Sequence, residues 1–180
     1  RRHSFPTRRS SDLGLHPYVP GEQPQIANLV KLNTNENPFP PSAQVLAAIA
    51  TAAQSGLQRY PDPQSADLLQ ALATYHGLES RNVFVGNGSD EVLAHAFRAF
   101  YVKQKPLLMP DISYSFYGVY AALFGVQCQT VALNADLVVD VDDYLAIDAD
   151  SVAGVVIANP NAPTGVAISL ASLSSGGSSC

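Results

Sequence analysis

The feature that most constrains this chain is Val152–Ala158, VAGVVIA, an unbroken apolar run that is β-branched at four of its seven positions. A strand of that kind has no face to present to water, so it must lie in a sheet covered on both sides. Two more strands, Leu107-Leu108-Met109 and Gln127 to Leu133, are expected on either side of a helical segment from Tyr114 to Phe124. Asn82-Val83-Phe84-Val85 is a fourth β-rich run, broken at Gly86-Asn87-Gly88. Ser89 follows as a helix cap, with Asp90 and Glu91 in the first turn and Leu93, Ala96, Phe97 and Phe100 on the buried side. Strands alternating with helices in this way predict an α/β fold, a mostly parallel sheet with helices on both faces.

Two helices are expected upstream. Ser42 caps the first, in which Val45, Leu46, Ile49 and Ala53 recur at helical spacing before Gly56. Pro61-Asp62-Pro63 opens the second, with Leu68, Leu69, Leu72 and Tyr75 on one face and Gly77 as its stop.

In open sheets of this class, ligands gather at the carboxyl ends of the strands. Three polar loops fall there: GNGSDE after Val85, PDISY after the Leu107 run, and NPNAPTG after the Val152 run. All three are expected on one rim. The first starts a helix, where the amides of Ser89 and Asp90 suit a phosphate through the helix dipole. It is neither a Walker loop nor GxGxxG, because Glu91 stands where the third glycine belongs. Tyr114 leads an aromatic segment, SYSFYGVY, and is the ring best placed to stack on a flat heterocycle, whereas Phe116 and Tyr120 have the spacing of a core stripe.

Composition narrows the partners. The formal net charge of −5 argues against wrapping nucleic acid or anionic lipid. No apolar run approaches the ~20 residues of a bilayer span, and the expected setting is cytoplasmic. Two cysteines and four scattered histidines offer neither a disulfide framework nor ligand spacing for a metal. Residues 1–13, RRHSFPTRRSSDL, have no hydrophobic period and are read as a translated sequencing-adapter scar. Residues 14–58 form an N-terminal arm and helix, 59–168 the ligand-binding domain, and 169–180 a Ser/Gly tail of linker composition.

Five segments taken together, LNTNENPFPPS, RYPDPQSADL, GNGSDEVL, PDISYSFY and ANPNAPTG, resemble the histidinol-phosphate aminotransferases, pyridoxal 5′-phosphate enzymes of the aspartate-aminotransferase fold. The resemblance runs from about residue 14 to 168 and corresponds to the N-terminal part of a family member. It implies that Ser89 and Asp90 hold the cofactor phosphate and that Tyr114 stacks on the pyridine ring. It further implies that Tyr60 reaches the phosphate in the neighbouring subunit of a homodimer, and that Asn35 lies where the N-terminal arm closes over substrate. The family's asparagine directly before Pro-Thr-Gly, which bonds the cofactor's phenolic oxygen, is Ala162 here, and Asn161 beside it serves if the loop is set differently.

The implied reaction exchanges an amino group between L-histidinol phosphate and 2-oxoglutarate, giving glutamate. It needs a lysine that binds the cofactor covalently and moves a proton. Only Lys31, Lys103 and Lys105 are present, none in the family's Ser-x-x-Lys setting, so the expectation is an N-terminal fragment, inactive alone. The alternatives are a threonine-phosphate decarboxylase-like enzyme of the same fold and a nonenzymatic α/β binding module.

Overall fold

The computed structural model describes residues 24–32 and 34–176. The adapter-like stretch 1–13 and the last four residues lie outside them. The chain forms two compact units, one within Val19–Val85 and the other including Gly86–Cys180. The boundary falls inside the span 59–168 that the sequence assigned to a single domain.

In the first unit, helix α1 (Ala43–Gln54) is alanine-rich, and the Ser42 hydroxyl accepts the Val45 N–H at 3.3 Å. None of its residues is buried, so the apolar side of Val45, Leu46 and Ile49 is open to solvent. Helix α2 (Ala66–His76) starts from Asp62, whose carboxylate accepts the N–H groups of Gln64 at 3.0 Å and Ala66 at 2.7 Å. Those two bonds hold the Asp62 carboxyl below its ordinary range. Gly77, at φ +66°, ends α2 in the left-handed conformation that glycine adopts without strain.

The packing of α2 departs from expectation. It buries Ala73 and half-buries Leu69 and Leu72, while Leu68 and Tyr75 stay exposed and Tyr75 stands edge-on to His76. The strand expected at Asn82–Val85 is also absent among the described residues. Ser80–Asn82 forms a 3-10 turn, fixed by reciprocal caps between Glu79 and Asn82, and Val83 leaves it in an extended conformation, with residues 83–85 outside the three strands of the sheet.

The second unit holds the sheet. Strands β1 (Leu107–Pro110), β2 (Cys128–Val131) and β3 (Gly154–Val155) pair in parallel in the order β2-β1-β3. Leu107 lies opposite Cys128 on one side and Gly154 on the other. The ladder is shorter than the apolar run, since β3 takes only two of its residues.

Because successive strand residues point to opposite faces, Leu107 and Leu108 serve two different cores. Leu107 packs with Phe97, Tyr117, Tyr120, Ala121 and Val126 from helices α3 (Gly88–Ala96) and α4 (Phe116–Phe124) and the segments following them. Leu108 packs with Val139, Tyr144 and Ile168, on the side of α5 (Val141–Leu145). Burying each leucine contributes roughly 1.5–3 kcal/mol.

Helix α3 runs into a π turn at Phe97–Tyr101. The wider turn shifts the spacing after Phe97, so Phe100 points outward rather than into the expected face. Tyr101 takes its place, with its ring edge-on to Phe97 and its hydroxyl donating to the Val155 carbonyl at 3.2 Å. The Ser/Gly tract also differs from its linker reading. Leu170–Gly176 is helical (α6), begun by the Ser169 hydroxyl accepting the Ser172 N–H at 3.1 Å.

Candidate functional site

The second unit ties the three polar loops to one another. In the first, Gly88 sits at φ +81°, which favours glycine, and its N–H donates to the Gly86 carbonyl at 3.0 Å. Gly86 is needed for closeness: a Cβ there would stand 3.0 Å from both Glu91 Oε2 and Val92 Cγ2. The Glu91 carboxylate turns back to accept the Asn87 N–H. Asn87 is the N-cap residue but makes no side-chain cap bond, and Ser89 is the second residue of α3 rather than the expected cap. The first-turn amides of Ser89 and Asp90 thus precede any intrahelical acceptor, with Ser89 exposed.

The second loop leaves β1. Asp111 Oδ1 accepts the N–H groups of Ile112 at 2.9 Å and Leu133 at 3.0 Å, which fixes the turn against the end of β2. Tyr114 is half-buried, and its hydroxyl donates to Asp90 Oδ1 at 3.1 Å. Its ring lies edge-on to Tyr117, with centroids 5.5 Å apart. Tyr114 and the start of α3 are therefore on the same side of the sheet.

The third loop is pinned at both ends. Asn159 exchanges two hydrogen bonds with the Ile168 backbone, and both X-Pro bonds of the loop, Asn159-Pro160 and Ala162-Pro163, are cis. Asn161 is only 2 % exposed. Its Oδ1 accepts from the Ser113 hydroxyl at 2.9 Å, and its Nδ2 donates to the Ile112 carbonyl at 2.8 Å. An amide nitrogen carries two hydrogens, so the strut to the second loop uses one and leaves the other.

Four of the residues expected at the site, Ser89, Asp90, Tyr114 and Asn161, thus stand on loops that are joined or adjacent. Asn35, at φ +50°, and the fully exposed Tyr60 belong to the first unit. Lys103 and Lys105 precede β1, at the opposite end of the strand from the loop carrying Tyr114, and the Lys103 ammonium donates to the Ala153 carbonyl at 3.5 Å. Lys31 pairs with Glu36 in the first unit.

One participant was hidden in the sequence. Tyr120 has the helical spacing of a core residue and is only 4 % exposed, yet its hydroxyl lies 3.0 Å from the Asp90 carbonyl and 3.2 Å from Asp90 Oδ1. Burial and the Asp90 charge push this phenol well above its ordinary pKa. Spacing reports where a ring packs and says nothing of where its hydroxyl ends.

The arrangement offers a dianion a glycine-flanked helix start and offers a planar ring an aromatic neighbour. Asp90 and Glu91 add negative charge to the same turn, so an anion must bind through backbone N–H groups, with the Asp90 carboxylate held aside by the two tyrosines. No cluster of three His, Cys, Asp or Glu side chains able to hold a metal occurs among the described residues. Nor is any helix among them long and apolar enough to cross a membrane. A separate cleft of about 580 Å³, lined by Asn134, Asp140 and Ser169 among others, contains none of these site residues.

The architecture and the loops define a known class: the chain belongs to the class I and II aminotransferases, whose family model matches residues 27–175. Within that class it is similar to the histidinol-phosphate aminotransferase of Aromatoleum aromaticum, 57 % identical over 152 residues, which make up 84 % of this chain and 43 % of that enzyme. Histidinol-phosphate aminotransferase 1 of Methylococcus capsulatus is 54 % identical over 159 residues, 88 % of this chain and 43 % of that enzyme. The chain therefore spans less than half the length of these relatives. Among solved structures, the histidinol-phosphate aminotransferase of Sinorhizobium meliloti in complex with pyridoxal 5′-phosphate superimposes with a TM-score of 0.65 at 31 % identity. That match covers 72 % of this chain and 35 % of the other.

Proposed function

We propose that the protein spanned by this chain is a histidinol-phosphate aminotransferase, exchanging an amino group between L-histidinol phosphate and 2-oxoglutarate with pyridoxal 5′-phosphate as cofactor. The observation that carries this reading is the bond from the Tyr114 hydroxyl to Asp90, which couples an aromatic ring to an uncapped helix start. A phosphate and a pyridine ring in one ligand require that pairing. The sequence similarity to enzymes of that name supports it.

In this reading the Ser89 and Asp90 amides bind the cofactor phosphate, with the dipole of α3 contributing about 0.3–1 kcal/mol, more where water is excluded. Tyr114 would hold the pyridine ring by stacking and exclude water from that side. The remaining Asn161 amide hydrogen would be the donor for the phenolic oxygen, while the other Asn161 contacts keep the third loop in register with the second. The cofactor, when bound, supplies the electron sink that transamination needs. Tyr60 and Asn35 complete the site in a cytoplasmic homodimer, Tyr60 reaching the partner's phosphate and Asn35 closing over substrate.

The test is a chimera in which residues 27–168 of this chain replace the matching segment of the Aromatoleum aromaticum enzyme. The expected result is transfer from L-histidinol phosphate to 2-oxoglutarate within about tenfold of the parent, since the swapped loops keep the cofactor contacts and tenfold corresponds to a loss of only about 1.4 kcal/mol. A folded chimera that transfers nothing overturns the reading. Release of carbon dioxide from threonine phosphate in its place would favour the decarboxylase alternative.

A further inference from the structure

We infer that Tyr120 is a positioning residue for anion binding: its buried hydroxyl holds Asp90 so that the Asp90 carboxylate stays clear of the amides that begin α3. The inference rests on the cofactor site proposed above and adds a residue that the sequence assigns to the core alone.

The geometry separates the two ends of this side chain. The ring is packed edge-on to Phe116, with centroids 5.0 Å apart, and tilted against Phe97 at 5.3 Å, so it has no freedom to swing. The hydroxyl emerges from that cluster beside two oxygens of one residue, the Asp90 carbonyl at 3.0 Å and Oδ1 at 3.2 Å. A phenol has one hydrogen, which it shares between them. The Tyr114 hydroxyl reaches the same Oδ1 at 3.1 Å. Two donors from α4 and the loop before it therefore converge on one carboxylate.

An acidic side chain in the first turn of a helix ordinarily folds back on the free N–H groups there, because both the hydrogen bonds and the dipole favour it. Glu91 does so here, accepting the Asn87 N–H. Asp90 does not, since its carboxylate is bonded to tyrosines. A carboxylate that folded back would compete with a bound phosphate for the same donors and repel its charge. Losing the Tyr120 hydroxyl halves the number of donors holding Asp90 away, and also frees the Asp90 carbonyl from the rigid ring. The aromatic core thereby sets the charge pattern at the rim.

The test is Tyr120→Phe in the full chain, which keeps the ring and its packing. Binding of pyridoxal 5′-phosphate and of pyridoxal, which lacks the phosphate, is followed by quenching of tyrosine emission, a clean signal because the chain has 8 tyrosines and no tryptophan. The ratio of the two affinities reports the phosphate seat alone. It is expected to fall about five- to tenfold in Tyr120→Phe, the scale of one ordinary net hydrogen bond. In an Asp90→Asn background, where no charge can fold back, the same substitution is expected to change the ratio less than about twofold by the same reasoning. A purely structural role would weaken both ligands together and leave the ratio alone. An unchanged ratio in a variant with native circular dichroism, or an equal fall in the Asp90→Asn background, overturns the inference while the proposed site stands. If the unsubstituted chain does not distinguish the two ligands, the site itself fails and the role of Tyr120 falls with it.

Discussion

Asn161 is where loop geometry and stability are most directly linked. Asn161→Ala removes the 2.9 Å bond from Ser113 and the 2.8 Å bond to Ile112 but keeps the backbone bonds from the Asn161 N–H to Val166 and from the Gly165 N–H to the Asn161 carbonyl. Two hydrogen bonds at about 1 kcal/mol each, both made by a side chain only 2 % exposed, place the loss near 2 kcal/mol. In urea, with a slope of roughly 2 kcal/mol per molar, the midpoint should drop by about 1 M.

Asn161→Asp is the sharper variant. The new carboxylate still accepts from Ser113 but faces the Ile112 carbonyl with no hydrogen to give, so burial and that carbonyl raise its folded pKa above the unfolded value of about 3.9. Below about pH 3.9 both states are protonated, the new O–H can donate to Ile112, and the variant matches the parent. As pH rises the unfolded chain ionises first, so the deficit relative to the parent opens above about pH 4 and is complete once the folded carboxyl has ionised. Urea titrations by circular dichroism at pH 4 and pH 7.5, each against the parent, measure the gap. A gap of equal size at the two pH values, or an Asn161→Ala midpoint within about 0.3 M of the parent, would refute this account of the strut.

Other outcomes follow from single contacts. Tyr144 has a buried hydroxyl with no partner and a pKa pushed up to about 12 by burial first and then by Asp111 and Asp143. Tyr144→Phe should therefore leave stability at pH 7 unchanged or raise it by up to about 1 kcal/mol, and should flatten the loss that the parent suffers as pH climbs from the ordinary tyrosine range through 12, both read by thermal melts. Gly154→Ala puts a Cβ 2.9 Å from the Tyr101 ring at φ +152°, and should cost about 1–3 kcal/mol in urea unfolding while breaking the Tyr101 bond to Val155. Phe97→Ala empties a fully buried site at the centre of one core, and a loss of about 3–5 kcal/mol should abolish the cooperative transition of the second unit.

What the sequence disclosed was governed by how locally each feature is determined. The strand at Leu107, the helix after Tyr114 and the parallel pairing followed from apolar runs and glycine stops, and the structure has all three within a turn of the expected bounds. The Asn82–Val85 run had the right residues for a strand, but Glu79 and Asn82 cap a tight turn there, and the sheet of the described residues is built from β1, β2 and β3. The apolar faces of α1 and α2 were visible as patterns, while their exposure depends on what packs against them, which periodicity does not encode. At the site, topology placed the second and third loops at the carboxyl ends of their strands, whereas the first loop, assigned there through a strand that does not form, is brought to them by the bond from Tyr114 to Asp90. The joins between them, Ser113 to Asn161 and Tyr120 to Asp90, link residues 48 and 30 positions apart, and no local signal marks such pairs.

The back-to-back leucines of β1 carry an evolutionary consequence. Each belongs to a different apolar layer, so inserting or deleting one residue beside them would exchange the partners of both layers at once and simultaneously displace the Tyr114 turn downstream. Length changes in this lineage should therefore accumulate in the connection between β2 and α5, and leave the four positions of the middle strand untouched.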